Sequence, residues 1–500
     1  MDSFVNSVSS QTIPLDGIDA GFFAFSISMC YWYKNSARSS WSTFMPPDVL
    51  EKSFYRAMQE FPILAGQLKT NANNRMYIRV DKDDLNMPVY TDTCCNLEYS
   101  DMQESGFNIH KLPVNLSGEY GVPVSSRAIG GRIKPAYFHV FRFKNNSGLL
   151  LFVSVAHYAV DGYGCSQFIS RWAEISRWMQ QTQSGNSVEQ LPVRQCTFDR
   201  SIHDSYCLKQ ADDLDALTFE GLATRTLFSR WLAWISPEMR GRVFKLMSNK
   251  TSRKCSFFHI SAKTMDDLRA RVQAHAPEGI RYTANDVISA YLTIVIGQAK
   301  EKAFEDKWKK PLRLAVRALS GNKLGKHKDL VTTIDMNIRP RVNNPDAMDF
   351  TGNMVMGRSI VFSQNEVQQE PIDKAVSELA LRINQAMSSV DLQYLGQVWY
   401  LQNKESDSYM WPTWCYAKNS NKLVVSNQAR FAHYSIDFGA GSPDMVRHAP
   451  HSFRDTIFIM PDNPATGGYI FEFKLGPVVE ANLVCNKDWM RLVDKYDSYM

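Results

Sequence analysis

An apolar stretch in the middle of the chain constrains the fold more than any other part of the sequence. Residues 149–155 read Leu-Leu-Leu-Phe-Val-Ser-Val, interrupted only by Ser154. An apolar run of this length is typical of a strand buried on both faces. The run leads to His157, so the sequence predicts a histidine at the end of a central strand. A second strand-like run over residues 136–144 and the polar residues 145–147 precede it, which predicts an antiparallel hairpin.

The residues after His157 predict a turn and then a helix. Asp161 is followed by Gly162, which has no side chain and could let the backbone reverse direction. Beyond it, apolar residues recur at helical spacing at Phe168, Ile169, Trp172, Ile175 and Met179. On its own, the pattern fits a core histidine beside a helix-capping aspartate as well as it fits a catalytic histidine.

Two widely separated motifs resemble those of the acyl-CoA-dependent acyltransferases of the BAHD family. His157-x-x-x-Asp161-Gly162 resembles the first signature of that family. Asp437-Phe-Gly-Ala-Gly441 resembles the second, Asp-Phe-Gly-Trp-Gly, and lies in the same order along the chain. The first motif is more distantly similar to that of peptide-synthetase condensation domains.

Two further segments between these motifs resemble the same family. Arg339-Pro-Arg341 before Gly352-Asn353 is similar to the Arg-x-Arg pair that precedes a Gly-Asn step. Residues 423–430 resemble a Thr-Ser-Trp-x-Arg segment, in which Ser426 matches the hydroxyl residue and Asn427 the serine. The resemblance indicates a divergent, fungal-like member of the family.

The resemblance implies an α/β protein made of two chloramphenicol acetyltransferase-like domains. Each domain would be a mixed β-sheet flanked by helices, and the active-site channel would lie between the two. The predicted boundaries are residues 1–195 for the first domain, 196–252 for a helical crossover or a cover over the site, and 253–500 for the second domain. In the second domain the residue pattern predicts a closing pair of strands over 468–475 and 478–484.

The resemblance also implies roles for individual residues. His157 would be the general base, because an imidazole with an ordinary pKa of about 6.5 can take the acceptor's proton and return it to the leaving thiolate. Asp161 and Gly162 would shape the turn around it. Asp437 would pair with Arg339 or Arg341, far from the reacting atoms.

The remaining predicted site residues concern the turn at Asp437 and the substrates. Gly439 and Gly441 are expected in a tight turn. Ser426, Asn427 and Ala440 are expected near the substrates, and Ala440 stands where the family has tryptophan. The phosphates of coenzyme A would need cations, and the basic loop with Lys323, Lys326 and Lys328 could supply them.

The function implied is transfer of an acyl group from acyl-CoA to a hydroxyl or amine of a small molecule, in specialised metabolism. Acyl-CoA would be the co-substrate, with no metal and no permanently bound cofactor. Two alternatives remain open: a stand-alone condensation domain that uses carrier-protein thioesters, and a non-catalytic member that binds a small molecule. Condensation domains usually have a second histidine where this chain has Ala156. Neither Cys165 nor Ser166 lies in a nucleophile motif, so no covalent intermediate is expected.

Composition and charge exclude several other classes of protein. The net charge is +5 over 500 residues, and no block of like charge resembles a nucleic-acid-binding arm. No apolar segment is long and unbroken enough to predict a membrane span. Nine cysteines without a Cys-x-x-Cys pair favour neither a disulfide framework nor a zinc site. We therefore expect a cytoplasmic protein, as a monomer.

Overall fold

The structure is a computed structural model. It describes residues 2–22, 26–72, 75–112, 128–129, 132–184, 191–194, 196–205, 255–308, 329–404, 421–449 and 455–499. Most of the predicted crossover over 196–252 lies outside the described residues, as do Lys323, Lys326 and Lys328.

Helices and strands alternate irregularly along the chain, as expected of an α/β protein. The described helices are α1 Asp2–Ser7, α2 Gly17–Gly21, α3 Pro47–Met58, α4 Tyr99–Glu104, α5 Gly162–Gln183, α6 Ala262–Gln273, α7 Ala284–Trp308, α8 Gln364–Val367, α9 Ile372–Ser388, α10 Leu392–Lys404, α11 Pro477–Val484 and α12 Lys487–Met490. The described strands are β1 Gln11–Pro14, β2 Ser26–Lys34, β3 Gln67–Thr70, β4 Met76–Val80, β5 Val89–Cys94, β6 Ala128–Ile129, β7 Arg132–Ile133, β8 Ala136–Arg142, β9 Gly148–Ala156, β10 Cys255–Ile260, β11 Leu330–Asn337, β12 Val355–Phe362, β13 Lys422–Asn427, β14 Met445–His448, β15 Thr456–Pro461, β16 Tyr469–Lys474 and β17 Lys495–Tyr499.

The first large sheet contains the predicted hairpin at its centre. Its strand order is β14-β2-β9-β8-β5, and β8 pairs with β9 in antiparallel register, which confirms the prediction. Every residue of β9 is buried. Alternate side chains of β9 enter two different cores, which explains why this strand is apolar at successive positions rather than at every second one.

Helices α3 and α5 cover one face of this sheet through a cluster of aromatic rings. The rings of Phe54 and Trp172 meet edge to face with centroids 5.2 Å apart. The Trp172 indole also donates from Nε1 to the Leu50 carbonyl oxygen at 3.0 Å. These contacts hold α5 against the sheet, and α5 in turn fixes the position of the loop that precedes it.

The second large sheet has the order β12-β11-β13-β15-β16-β10-β17. Strand β13 pairs in parallel with β11 on one side and with β15 on the other. The other pairs of this sheet are antiparallel. Helices α7 and α9 contribute to the core on one face of this sheet. Both large sheets are therefore mixed and flanked by helices, which confirms the predicted fold class.

One prediction about the C-terminal half is wrong. Residues 478–484 form helix α11 rather than a strand, because Pro477 starts a helix and Leu483 lies one turn from Val479 against the second core. In addition, β14 pairs with β2 of the first sheet over Met445–His448. The second predicted domain, residues 253–500, thus contributes a strand to the first.

Candidate active site

His157 follows the last residue of β9 and begins the turn that leads into α5. The phenyl ring of Phe22 stacks on its imidazole, with 3.9 Å between ring centroids and 7° between the planes. The side chain of His157 is half-buried, unlike the strand before it. The central strand thus fixes the backbone while the ring stays partly accessible.

The side-chain amide of Asn353 determines which nitrogen of His157 carries the proton. Asn353 Nδ2 donates to the His157 carbonyl oxygen and to Asp19 Oδ1, each at 2.8 Å. The amide therefore presents its oxygen, Oδ1, to His157 Nδ1 at 3.0 Å. Because an amide oxygen can only accept, Nδ1 carries the hydrogen and Nε2 keeps the lone pair of a base.

Burial sets the charge of His157. Loss of solvent around the ring lowers the pKa of His157 below its ordinary value of 6.5, although its own carbonyl, Asp161 and Asn353 act in the opposite direction. The imidazole is therefore neutral at pH 7. A neutral imidazole with a free Nε2 is the form that a general base requires.

Asp161 organises the backbone of the turn. Its Oδ1 accepts from Gly164 N at 2.8 Å, which caps the start of α5. Its Oδ2 accepts from Met354 N at 2.9 Å, on the segment that carries Asn353. These are the backbone contacts of a structural aspartate.

Asp161 also forms a buried ion pair with Arg339. Arg339 Nη1 lies 2.7 Å from Asp161 Oδ2, and Nη2 lies 3.1 Å from Oδ1. Neither side chain is more than 4% exposed. The other N–H groups of Arg339 donate to the carbonyl oxygens of Phe350 and Gly352 and to Asn337 Oδ1. The pair thus joins the His157 turn to the segment that contains Asn353.

The predicted pairing of Asp437 with Arg339 or Arg341 is wrong. Asp437 Oδ1 accepts from the backbone N–H groups of Gly439, Ala440 and Gly441 at 2.7, 3.0 and 2.8 Å. Arg341 instead donates to two carbonyl oxygens at the C-terminal end of α9, those of Met387 in its last turn and of Val390 just beyond it. Arg339 pairs with Asp161 instead, and the carboxylate of Asp437 stabilises its own turn.

The two glycines of that turn need their freedom of conformation, but Gly162 does not. Gly439 and Gly441 have φ angles of +97° and +92°, which other residues rarely adopt. Gly162 is the first helical residue after its cap, Asp161, so the predicted need for a glycine to reverse the chain is wrong. Steric crowding instead falls on Gly164, where a Cβ atom would lie 2.1 Å from the Thr351 carbonyl oxygen.

Ser426, Asn427 and Ala440 do not lie together. Ser426 is a part-buried residue of β13, beside Asp335 on β11 and Phe458 on β15. Asn427 donates to Asn285 Oδ1 at 2.8 Å, at the end of α7 that carries Ala284. Ala440 packs against the core of the first sheet. Of the three, Ser426 lies beside the buried carboxyl group of Asp335.

The face of the second sheet that carries Ser426 meets the first domain. Neighbouring strands place Asp335, Ser426, Phe458 and Glu472 in one row, and cross-strand neighbours point to the same side of a sheet. From the first sheet, His448 N donates to Glu472 Oε1 at 3.0 Å, and the His448 ring lies 4.3 Å from that of Phe458. The row therefore lies between the two domains.

Asp335 is a carboxyl group in this row without a hydrogen-bond partner among the described residues. Loss of hydration on burial raises the pKa of Asp335 to about 7. A group of this kind between two domains is a candidate for contact with a substrate.

Replacing Asp335 with asparagine should stabilise the protein more at high pH than at low pH. An aspartate in the unfolded chain has a pKa of about 3.9. Since the folded-state pKa is higher, stability falls as pH rises from about 4 to 7. We expect Asp335→Asn to recover roughly 1 to 4 kcal/mol at pH 8 and much less at pH 4.5. Urea denaturation at both pH values measures this.

A matched control for this prediction is Asp266→Asn, because the Asp266 side chain is 70% exposed on α6. That change should leave the pH dependence of stability as it is in the wild type. An equal gain from Asp335→Asn at both pH values would show that its carboxyl group is not desolvated.

Several residues of the candidate site could not be predicted from the sequence. Gly352-Asn353 resembles a family landmark, but its contact with His157 joins residues 196 positions apart. Asp19 lies on the short helix α2, and Phe22 follows the end of that helix. The one usable signal was Asp16-x-x-Asp19, which is typical of the start of a short helix. Asp335 begins the segment through Arg341 that resembles the family, but nothing in the sequence indicated a role for its carboxyl group.

Neither a metal-binding cluster nor a membrane-spanning helix is found among the described residues. Among them, no group of three or more histidine, cysteine, aspartate or glutamate side chains could hold a metal ion. None of the described helices combines the length and the apolar character that crossing a bilayer requires.

Comparisons with solved structures show the same overall fold at low sequence identity. F. graminearum TRI101 complexed with ethyl coenzyme A is 14% identical, with a TM-score of 0.65, over 98% of this chain and 100% of that chain. Vinorine synthase is 15% identical, with a TM-score of 0.60, over 97% of this chain and 98% of that chain. The first condensation domain of the CDA synthetase is 13% identical, with a TM-score of 0.53, over 97% of this chain and 95% of that chain.

Sequence comparisons identify the family. The curated protein enoyl-CoA isomerase/hydratase claC of Penicillium crustosum is 26% identical over 264 residues, which are 51% of this chain and 27% of that protein. The chain thus spans about a quarter of the length of that relative. A family model described as the transferase family matches residues 5–195 and 247–478, including both signature motifs. The protein therefore belongs to the transferase family, as a divergent acyltransferase of the BAHD type.

Proposed function

We propose that the protein transfers an acyl group from acyl-CoA to a hydroxyl or amine of a small molecule, with His157 as the general base. The observation that carries this proposal is the hydrogen bond from His157 Nδ1 to Asn353 Oδ1, which leaves Nε2 as a base. The membership of the transferase family and the similarity to TRI101 complexed with ethyl coenzyme A support acyl-CoA as the donor.

In the proposed reaction both substrates bind before any bond changes. His157 Nε2 removes the proton of the acceptor O–H or N–H group as that atom attacks the thioester carbonyl carbon. The tetrahedral intermediate then collapses, the C–S bond breaks, and the proton passes from Nε2 to the coenzyme A thiolate. The hydroxyl of Ser426 is our candidate donor to the oxyanion, because it lies on the face between the domains.

The environments of Cys165 and Ser166 argue against a covalent acyl-enzyme. Cys165 is buried, and burial raises the pKa of its thiol to about 12, so the nucleophilic thiolate is absent at neutral pH. Ser166 Oγ donates to the Tyr163 carbonyl oxygen at 2.8 Å rather than to a base. Direct attack by the acceptor is the remaining route.

Incubation of the protein with acyl-CoA alone should leave its mass unchanged. Intact-protein mass spectrometry, with the acyl-CoA at saturating concentration and no acceptor, measures this. We expect less than about 1 in 100 molecules to carry an acyl group at the end of the incubation. A stable adduct on Cys165 or Ser166 would replace direct transfer by a two-step mechanism.

The proposed function is tested by release of free thiol from acyl-CoA. Acetyl-CoA and longer acyl-CoAs are each incubated with a mixed pool of alcohols and amines, and products are identified by mass. Acceptor-dependent thiol release that disappears in His157→Ala is the expected result. Acylation only from a pantetheinyl carrier protein would favour the condensation-type alternative. The TM-score of 0.53 to a condensation domain is the observation behind that alternative. Turnover from neither donor would favour a binding protein.

We propose a reducing compartment, the cytoplasm, as the site of action. Six cysteines of the described residues carry free thiols, at Cys30, Cys94, Cys95, Cys165, Cys196 and Cys485. Three of these six are buried, at Cys30, Cys95 and Cys165. Buried free thiols are compatible with a cytoplasm in which thiols are kept reduced.

A further inference from the structure

Asp19 is a buried carboxylate at the edge of the site. It lies on the short helix α2 and is only 1% exposed. Asp16 Oδ1 accepts from the backbone N–H groups of Ile18 and Asp19, and Asp16 N donates to Asp19 Oδ2 at 3.2 Å. This reciprocal capping arrangement holds the Asp19 side chain in one orientation.

The two oxygens of Asp19 have different partners. Oδ2 accepts from Arg200 Nε at 3.0 Å and from Arg200 Nη2 at 2.9 Å. Oδ1 accepts from Asn353 Nδ2 at 2.8 Å. The carboxylate therefore connects a buried arginine to the amide that contacts His157.

We propose that Asp19 is a positioning residue that keeps the proton of His157 on Nδ1, acting through Asn353. An asparagine side chain can turn by 180°, which exchanges its donor and its acceptor with little change in shape. The Asp19 carboxylate accepts only, so it selects the orientation in which Asn353 Oδ1 faces His157. This inference rests on the proposed role of His157 as general base, which it deepens.

The charge of Asp19 is essential to this selection. In Asp19→Asn, the side chain has one oxygen and one NH2 group, and Arg200 and Asp16 N both present donors to its oxygen. The new NH2 group then faces Asn353 Nδ2, so that two donors oppose each other. If Asn353 turns to relieve this, it gives up its hydrogen bond to the His157 carbonyl oxygen, its Nδ2 faces His157 Nδ1, and the imidazole proton moves to Nε2. The base is then blocked.

The surrounding charges keep Asp19 ionised near neutral pH. Burial raises the pKa of Asp19 to about 6, and Asp16 acts in the same direction. Arg200, the amide of Asn353 and His203 oppose that rise. Arg200 Nη2 lies 2.9 Å from Asp19 Oδ2, so the cluster contains both signs of charge. Above pH 6 the carboxylate is available as an acceptor for Asn353.

The test combines the tautomer of His157 with steady-state kinetics. Protein labelled with ¹⁵N-histidine is studied by NMR at pH 8, and the His157 signals are identified by their loss in His157→Ala. In the wild type we expect hydrogen on Nδ1. In Asp19→Asn we expect a shift toward the Nε2–H form, with kcat lowered roughly 10- to 1,000-fold and KM for acetyl-CoA within about twofold.

An exchange of the two side chains separates positioning from stability. In Asp19→Asn/Asn353→Asp the new carboxylate can accept from His157 Nδ1, while the new amide donates to that carboxylate and accepts from Arg200. We expect the double variant to regain the Nδ1–H form and at least about tenfold in kcat over Asp19→Asn. The double variant has the same total charge as the wild type. It therefore still tests the inference if Asp19→Asn alone does not fold.

Asp48→Asn is the control, because it removes one carboxylate charge from a side chain that is 60% exposed on α3, away from this network. It should keep both the tautomer and kcat. The inference is overturned if Asp19→Asn retains the Nδ1–H form, if the tautomer changes without loss of kcat, if the exchange recovers nothing, or if Asp48→Asn loses as much activity. Full activity in His157→Ala would instead refute the proposed function, whatever the tautomer.

Discussion

Replacing His157 with alanine should lower kcat by about 100- to 10,000-fold, the range expected when a general base is removed. The expectation rests on the free Nε2 and on the neutral state that burial imposes on the ring. The fold should remain intact, since His157 follows β9 and its half-buried ring stacks on Phe22 rather than filling a core. Thiol release per folded molecule, together with thermal unfolding, measures both parts of the prediction.

The pH dependence provides a second readout of the same prediction. Because burial lowers the pKa of His157, activity should be lost only as pH falls below about 6.5. His139, on the neighbouring strand β8, serves as the control. Its Nδ1 forms a hydrogen bond of 2.6 Å with Thr91 Oγ1. His139→Gln should keep kcat per folded molecule. Wild-type turnover in His157→Ala would show that another group accepts the proton.

The second large effect concerns the stability of the ion pair between Asp161 and Arg339. Asp161→Asn removes one charge and leaves the guanidinium of Arg339 buried without a counter-ion. Breaking a buried pair from one side costs roughly 3 to 5 kcal/mol. Urea denaturation should therefore show a loss of that size in the free energy of unfolding. Activity should fall as well, because the pair holds the segment that carries Asn353.

A double variant distinguishes a stranded charge from a general packing defect. Asp161→Asn/Arg339→Met removes both charges, and replacing a whole buried pair with apolar groups is often neutral. We expect it to unfold with a higher free energy than Asp161→Asn. The exposed pair of Lys263 and Asp267 is the control, and Asp267→Asn should cost less than about 1 kcal/mol. Additive losses in the double variant would contradict the argument.

The elements around the site could be predicted from the sequence because their signals are local. The hairpin of β8 and β9 follows from two apolar runs and a polar turn, and α5 follows from the spacing of its apolar residues. Residues 478–484 were predicted wrongly, because valines and a leucine in a short run fit a strand or a helix equally well. Pro477 and the neighbouring core decided the outcome.

The partners of charged residues were harder to predict than the elements. Asp161 and Asp437 each begin a glycine-containing turn, and the sequence does not show which of them lies close to Arg339. The outcome depends on the packing of β11 and α5, which places residues 178 positions apart within 2.7 Å. The contact between Asp19 and Asn353 joins positions 334 apart. No spacing rule covers such distances, since folding alone brings them together.

The strand Met445–His448 has a consequence for how the chain can fold during synthesis. The edge of β2 from Met29 to Trp32 finds its partner only after more than 400 further residues have been made. Until then β2 has an unpaired edge, and exposed edges invite pairing with other chains. The first sheet is therefore completed late, and the two halves mature as one unit although each has its own core. A chaperone that covers the nascent N-terminal half would protect this unpaired edge of β2 until β14 has been made.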